Sequence, residues 1–455
     1  MSGQGWVVGM AIAVWELTAA IALIVMAKYF LPLFLEKKIY TMPQFLEQRF
    51  DKRVSLVLSF FWLIVYIFIN LTSVLWLGSL AINALTGLDL FYGLVLLAIF
   101  SLAYSLSGGL KAVAMTDAVQ VILLIFGGLA VSFIALNIIS DSSGVIEGMK
   151  IVMDKLPEKF DMVLSPDNPS YNDLPGVWIL LGLGVWIGHF FYWGFNQYIT
   201  QRALAAKDIK EAQKGVMFAA YLKLLMPIVI VLPGICAAIL FPMLEKSDQA
   251  YPTMMSLLPN GLLGLTFAAL IAAIVSSLAS MSNSISTIFT MDIYKYFKND
   301  KVSQSNLIQV GRITVVLSLI IATLVAKPLL GSFESIFQYI QNFTGYFSPG
   351  IVVIFLVALF WKKATSMSVL VAALISLISS ILLSINFPEL PFIHRMTMVF
   401  ILSALGCIAT THLQGYKDQE KAIDLTTVNF STSKAFNLNT IIIVYALVCI
   451  YVAFA

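Results

Sequence analysis

Hydrophobic positions in this chain come in long blocks, and polar positions gather in the short segments between them. Twelve blocks are long enough to cross a hydrocarbon core, which takes about 20 apolar residues. They lie near 5–34, 54–85, 90–107, 113–140, 175–196, 212–241, 259–290, 310–328, 333–361, 366–386, 396–413 and 437–455. The pattern predicts an all-α polytopic membrane protein with about 12 transmembrane helices. One connection, 141–174, is long, polar and rich in Asp and Pro, and a short amphipathic helix is predicted at 146–156.

Composition points the same way. Of 455 residues, 60% are hydrophobic and only 11% charged, too little charge for a soluble protein of this size. The three cysteines, Cys236, Cys407 and Cys449, fall inside apolar blocks without metal or disulfide spacing, and read as small core residues. No charged n-region follows Met1, so no cleavable signal peptide is read. The net charge of +3 is spread over short loops and implies no nucleic-acid partner, and no obligate protein partner is evident. Nineteen of the 27 basic residues sit in the loops at 35–53, 108–112, 197–214, 291–313, 362–363 and 414–436. Six sit in the alternate loops, and Lys28 and Lys223 complete the total. This bias places the first set in the cytoplasm and both termini outside.

Polar residues within the blocks carry the functional signal. Glu16 lies in the first block and Lys223 near the middle of the sixth. A charge at bilayer depth costs several kcal/mol, so it normally faces a bundle interior or a watery cavity. A buried structural ion pair, or snorkelling to the interface, is the competing reading, although Lys223 stands about 10 residues from either end. In the fifth block, glycines at 182, 184, 188 and 194 interrupt an aromatic run, and His189, Tyr192, Trp193 and Asn196 share one helical face. An aromatic-packed helix with one buried His would explain the run; glycine-broken helices that form substrate sites explain it better. In the seventh block Ser276, Ser280, Asn283 and Thr287 line one face beside Ser277. Serines bonding back to the helix are the structural alternative. The ninth block holds Gln338, Gln341 and Asn342 ahead of Gly345, Pro349 and Gly350.

These side chains suit some cargoes better than others. A neutral hydroxylated solute needs mixed donors and acceptors and an aromatic ring against its apolar face. Glu16, Lys223, Gln341, Tyr192 and Trp193 provide them. An amino-acid carboxylate would call for freed helix N-termini or an Arg, and the polar spans hold no Arg. Sodium wants hard oxygens, which serine hydroxyls and unwound carbonyls supply. The chain reads as a transporter, or alternatively a non-coupled, channel-like solute-binding protein, in a lipid bilayer, not an enzyme, and no catalytic residue is assigned.

The strings YWGFNQYITQRALAAK (192–207), FAALIAAIVSSLASMSNS (267–284), SGGLKAVAMTDAVQ (107–120) and FQYIQNFTG (337–345) resemble the solute:sodium symporter family, most of all its bacterial sodium/galactose branch. The likeness runs from Met1 to Ala455. It implies an inverted-repeat, five-plus-five fold, with residues 1–361 as the transporter core and 362–455 as three peripheral helices. It further implies symport of a sugar, or of inositol or another polyol, with Na+ as the co-transported ion. Sugar contacts would fall on Glu16, Lys223 and Gln341, with Tyr192 as an inner-gate tyrosine beside Trp193. Sodium ligands would fall on Ala273, Ser276 and Ser277, and an acid on the sodium exit path on Asp117.

The chain departs from that branch at three places. His189 replaces an Asn among the branch's sugar contacts and is kept as a substrate-binding candidate, and Trp15 replaces a Tyr before the glutamate. The likeness also aligns Met1-Ser2-Gly3-Gln4-Gly5 with the turn after the family's second helix. An N-terminally shortened form is therefore expected, without the broken helix (core position 1) that completes the family's sodium site.

Overall fold

Lipid offers the backbone no hydrogen bonds, so apolar runs must satisfy their own amides as helices. The computed structural model describes residues 1–37, 39, 41–298 and 301–454, with the backbone alone over 107–114. Where a loop is expected at 108–112 the backbone is helical, within Leu90–Ile139; Lys38 lies outside the described residues. Among the described residues all regular structure is helical. Among the described residues nine helices are long and apolar enough to cross a bilayer: Met10–Glu36, Lys52–Thr86, Met115–Ile139, Ile209–Leu240, Asn260–Phe297, Gln304–Leu330, Ser366–Asn386, Phe392–Leu413 and Lys434–Ala453. Leu90–Leu106 is a shorter apolar helix. Tyr104 and Thr116 share a hydrogen bond, whereas twelve residues of straight helix would separate them by about 18 Å, so Leu90–Ile139 is not straight between them. The loop helix expected at 146–156 is Val145–Lys155.

Three blocks depart from a single straight span. The first block breaks at Gly9, whose φ of 90° and position against the Lys159 carbonyl admit no side chain, and the span begins at Met10. The fifth block is a series of short pieces, Trp178–Leu181, Leu183–His189 and Phe190–Gly194, none long enough to cross alone. The ninth is a bent pair, Ile336–Gly345 and Ser348–Phe360, at 52°. Pro349 has no amide to extend the first helix and starts the second, where a proline costs nothing. Cys236 and Cys407 are buried as expected, but Cys449 is exposed, because its helix packs against the bundle through Phe436, Ile443 and Leu447.

The loops sort onto two faces. On one, Lys159 Nζ donates to the carbonyls of Trp6 and Val7, the Met162 amide bonds Phe454 O at 2.8 Å, and Gln338 donates to Asp173 at 2.8 Å. On the other, Arg49 is 3% exposed and donates to the carbonyls of Ala358, Trp361, Lys362 and Ala364 at 3.0–3.4 Å. It thereby closes the carbonyl end of Ser348–Phe360, where helical carbonyls lack partners. Burial lowers its guanidinium to about 10, so it stays charged at neutral pH. An aromatic column joins this face to the broken fifth segment: Phe195 stacks on Phe355 at 4.5 Å and on Phe30 at 5.1 Å.

Arg49→Gln is expected to lower stability by about 1.5–3 kcal/mol, the usual worth of a hydrogen bond to a charged group, read as a lower melting temperature in detergent. Arg49→Lys should recover only part of the loss, since one ammonium cannot reproduce the planar fork. Unchanged melting in Arg49→Gln would contradict this.

Candidate functional site

The breaks in the fifth and ninth blocks surround one cavity of about 290 Å³ in the bundle interior. Its volume sits at the small end of ligand sites, which run from about 300 to 1,000 Å³. Glu16, His189, Tyr192, Trp193, Lys223 and Gln341 all line it. Each arrives from a different local cause. Glu16 stands at the start of Val14–Val25, just after the tighter turn Met10–Ala13 with which the span begins. Lys223 lies one turn before Pro227, at which Ile209–Met226 gives way to a wider π-helical turn. His189 ends Leu183–His189, and Tyr192 and Trp193 ride the π-turn Phe190–Gly194, a geometry frequent at functional sites. The flanking glycines divide the work. Gly182 is extended and interrupts the helix, while Gly184 lets it approach the Ile393 carbonyl, where a Cβ would sit at 2.3 Å.

Lys223 Nζ meets Glu16 Oε2 at 2.6 Å and lies 4.5 Å from the Trp193 ring centroid. The ion pair that competed with a solute-binding role therefore exists, and it forms part of the cavity wall. Side-chain exposures of 18% and 15% leave both charges open to the cavity. An ammonium has three donors and a carboxylate several acceptor sites, so each keeps capacity beyond the pair. The side-chain amide of Gln341, in the same wall, has no hydrogen-bond partner among the described residues.

Aromatic rings close the ends. Trp15 stacks on Phe392 at 6.3 Å and meets Phe337 edge-on at 6.2 Å. At the other end the hydroxyls of Tyr192 and Tyr198 touch at 2.5 Å, and Tyr66 donates to Asn196 Oδ1 at 2.7 Å. His189 is 3% exposed, with Nε2 at 2.7 Å from Thr18 Oγ1. The Thr18 hydroxyl gives its proton to the Val14 carbonyl, so the network assigns the His189 donor to Nε2.

Sequence reasoning left Asn70, Thr344 and Asn196 out of its site, and all three line the cavity. Asn196 is 1% exposed, and its Nδ2 is buried without a partner among the described residues. Asn196 shares the helical face of His189 and Tyr192, a signal that could have named it. Asn70 is one of two amides in the apolar second block, with Asn83 near its end, a weaker clue.

The seventh span forms a second polar wall. Ser276, 2% exposed, donates to Asp117 Oδ1, and Asp117 Oδ2 meets Arg202 Nη2 at 2.8 Å. Ser284 and Thr287 bond back to helix carbonyls, the structural alternative for this serine run. Ser277 and Ala273 lie partly exposed on the same helix. Among the described residues no three His, Cys, Asp or Glu side chains gather as a metal site.

Residues 1–378 match the model of the sodium:solute symporter family. Over the whole chain the sequence is 44% identical to the sodium/glucose cotransporter of Vibrio parahaemolyticus, covering 87% of that protein. It is 32% identical to the human sodium/myo-inositol cotransporter 2 over 87% of this chain, which spans 62% of that longer protein. The fold matches a solved Na+-coupled sialic acid symporter with a TM-score of 0.77 at 22% identity, over 90% of this chain and 85% of the other. This extended likeness, together with the interior cavity on broken helices, shows that the chain is a multi-pass membrane transporter with Na+ as its co-transported ion and belongs to the sodium:solute symporter family.

Proposed function

We propose that this transporter couples inward sodium flow to uptake of a neutral sugar, a hexose such as galactose or glucose. One observation carries the reading: a small aromatic-ended cavity in which Lys223, Glu16, Gln341 and the free amide of Asn196 present donors and acceptors together. Hydroxyls need both kinds of partner, and a sugar's C–H face needs a ring. The Vibrio relative, whose name specifies glucose, supports the same class. Glu16, His189, Tyr192, Trp193, Lys223 and Gln341 hold the solute. Ser276, Ser277 and the Ala273 carbonyl supply sodium oxygens, and Asp117 lies on the ion's way out. Residues 1–361 form the transporting core, and 362–455 pack outside it. The energy suffices: one sodium crossing about 100 mV releases roughly 2.3 kcal/mol. A tenfold gradient adds about 1.4 kcal/mol. Their total supports accumulation of a few hundred-fold.

Uptake of labelled galactose, glucose and myo-inositol into proteoliposomes, with sodium or choline outside, tests the reading. A hexose should accumulate above equilibrium only with sodium. Best uptake of myo-inositol would move the cargo to a polyol, and sodium-independent equilibration would make the protein a passive carrier. Lys223→Ala and Gln341→Ala should each weaken the sugar by about 1.5–3 kcal/mol, roughly ten- to hundredfold in apparent affinity. Wild-type affinity in either variant would remove that residue from the site.

His189→Asn trades an imidazole tied to Thr18 for a carboxamide able to donate and accept, and is expected to shift preference toward galactose. Identical solute ranking in wild type and variant would leave His189 as packing. Both termini are proposed to lie outside, on the face where the 159–162 loop meets Trp6, Val7 and Phe454. In intact cells, Lys150→Cys should react with an impermeant maleimide and Lys210→Cys only after permeabilisation. The reverse pattern would invert the topology.

A further inference from the structure

Asp117, proposed as a station on the sodium path, already holds a cation. Its Oδ1 accepts from the Ser276 hydroxyl and its Oδ2 meets Arg202 Nη2 at 2.8 Å. The same Nη2 reaches Ser280 Oγ at 2.8 Å, and Nη1 reaches the Tyr198 carbonyl at 3.1 Å. One guanidinium thus fills a nest of carboxylate, hydroxyl and carbonyl oxygens, the hard ligands that a small cation prefers. A sodium ion at the same carboxylate would face a like charge a few ångströms away, so the two occupants compete. Neither partner is locked in: the side chains are 33% and 24% exposed.

The other end of this contact leads to the solute. Arg202 lies in the helix Gln197–Leu204, directly after the broken fifth segment. The Tyr198 whose carbonyl it holds touches Tyr192 through the hydroxyls at 2.5 Å, and Tyr192 lines the cavity. Ser276, Asp117, Arg202, Tyr198 and Tyr192 therefore form one unbroken line of polar contacts from the proposed ion wall to the proposed solute site.

We propose that Arg202 is a tethered cation, standing at Asp117 while the sodium path is empty and displaced when sodium arrives, so that its release of the Tyr198 carbonyl loosens the tyrosine pair closing the cavity. The inference rests on the sodium-symport reading and on Asp117 lying on the ion's path. Arg202 touches no solute and is a positioning residue that acts through Tyr198. A bridge that only braced these helices would alter folding and maximal rate, but not the concentration at which sodium acts.

The test uses the full chain in proteoliposomes, with wild type, Arg202→Gln, Arg202→Lys and the double variant Arg202→Gln/Asp117→Asn. Two quantities are read: the sodium concentration for half-maximal sugar uptake, and sugar efflux without sodium. Arg202→Gln should lower half-saturating sodium at least tenfold, because the competitor is gone, and should raise sodium-free efflux. The double variant, lacking the carboxylate, should lose that gain in sodium affinity. Arg202→Lys keeps a charge at Asp117 without the fork to Tyr198. It should hold sodium affinity near wild type yet leak, and it tests the gate even where Arg202→Gln folds poorly. Unchanged or higher half-saturating sodium in Arg202→Gln overturns the competition, and a tight Arg202→Lys overturns the link to the gate. A wild type indifferent to sodium sinks the symport reading instead, and the control without variants reveals that separately.

Discussion

A charge pair inside a hydrocarbon slab is the constraint around which the bundle is arranged. Lys223 and Glu16 stand at 2.6 Å on two different spans. Separated, each would be an uncompensated charge in low dielectric, and removing one partner of a buried pair typically costs about 3–5 kcal/mol. The first and sixth spans must therefore pack side by side. A hydrophobic pair of equal volume would pack as well and is often no less stable. The polar choice is intelligible if the pair has another partner to meet, and the cavity beside it is where that partner would sit.

The cavity itself is a product of interrupted helices. A regular helix spends its amides and carbonyls internally, so nothing in it can be spared or re-aimed. Here Gly182 opens the fifth segment, a π-turn carries Tyr192 and Trp193, and a 52° bend divides the ninth. Irregular backbone is intolerable against lipid, and the π-turn and the bend keep Gly194 and Gly345 buried within the bundle. Stacked aromatics brace them: Phe195 lies between Phe30 and Phe355, just beyond the last residue of the π-turn. Rigid bracing beside a broken helix is what a site needs if its side chains are to hold position while one end opens.

The same logic separates the two polar regions of the bundle. The solute cavity presents neutral amides around one ion pair, whereas the seventh-span wall is serine hydroxyls around a carboxylate and a guanidinium. Mixed donors and acceptors suit hydroxylated solutes, while concentrated oxygens suit a hard cation. The tyrosine pair Tyr192–Tyr198 stands between them.

Much of this could be read along the chain, because bilayer thickness converts composition directly into element length. The all-helical class, most of the span positions and the unusual character of Glu16, Lys223 and the serine run follow from residue order. The structure draws Glu16, His189, Tyr192, Trp193, Lys223 and Gln341 around one cavity. What residue order left open depends on distance between spans. Nothing along the chain says that Thr18 meets His189, that Arg202 spans Asp117, Ser280 and Tyr198, or that Asn70 and Thr344 turn toward the same space. The bend in the ninth block and the exposure of Cys449 escaped for the same reason. Hydropathy records how much of a helix is apolar, while the neighbours it packs against decide which face is covered and where the axis breaks.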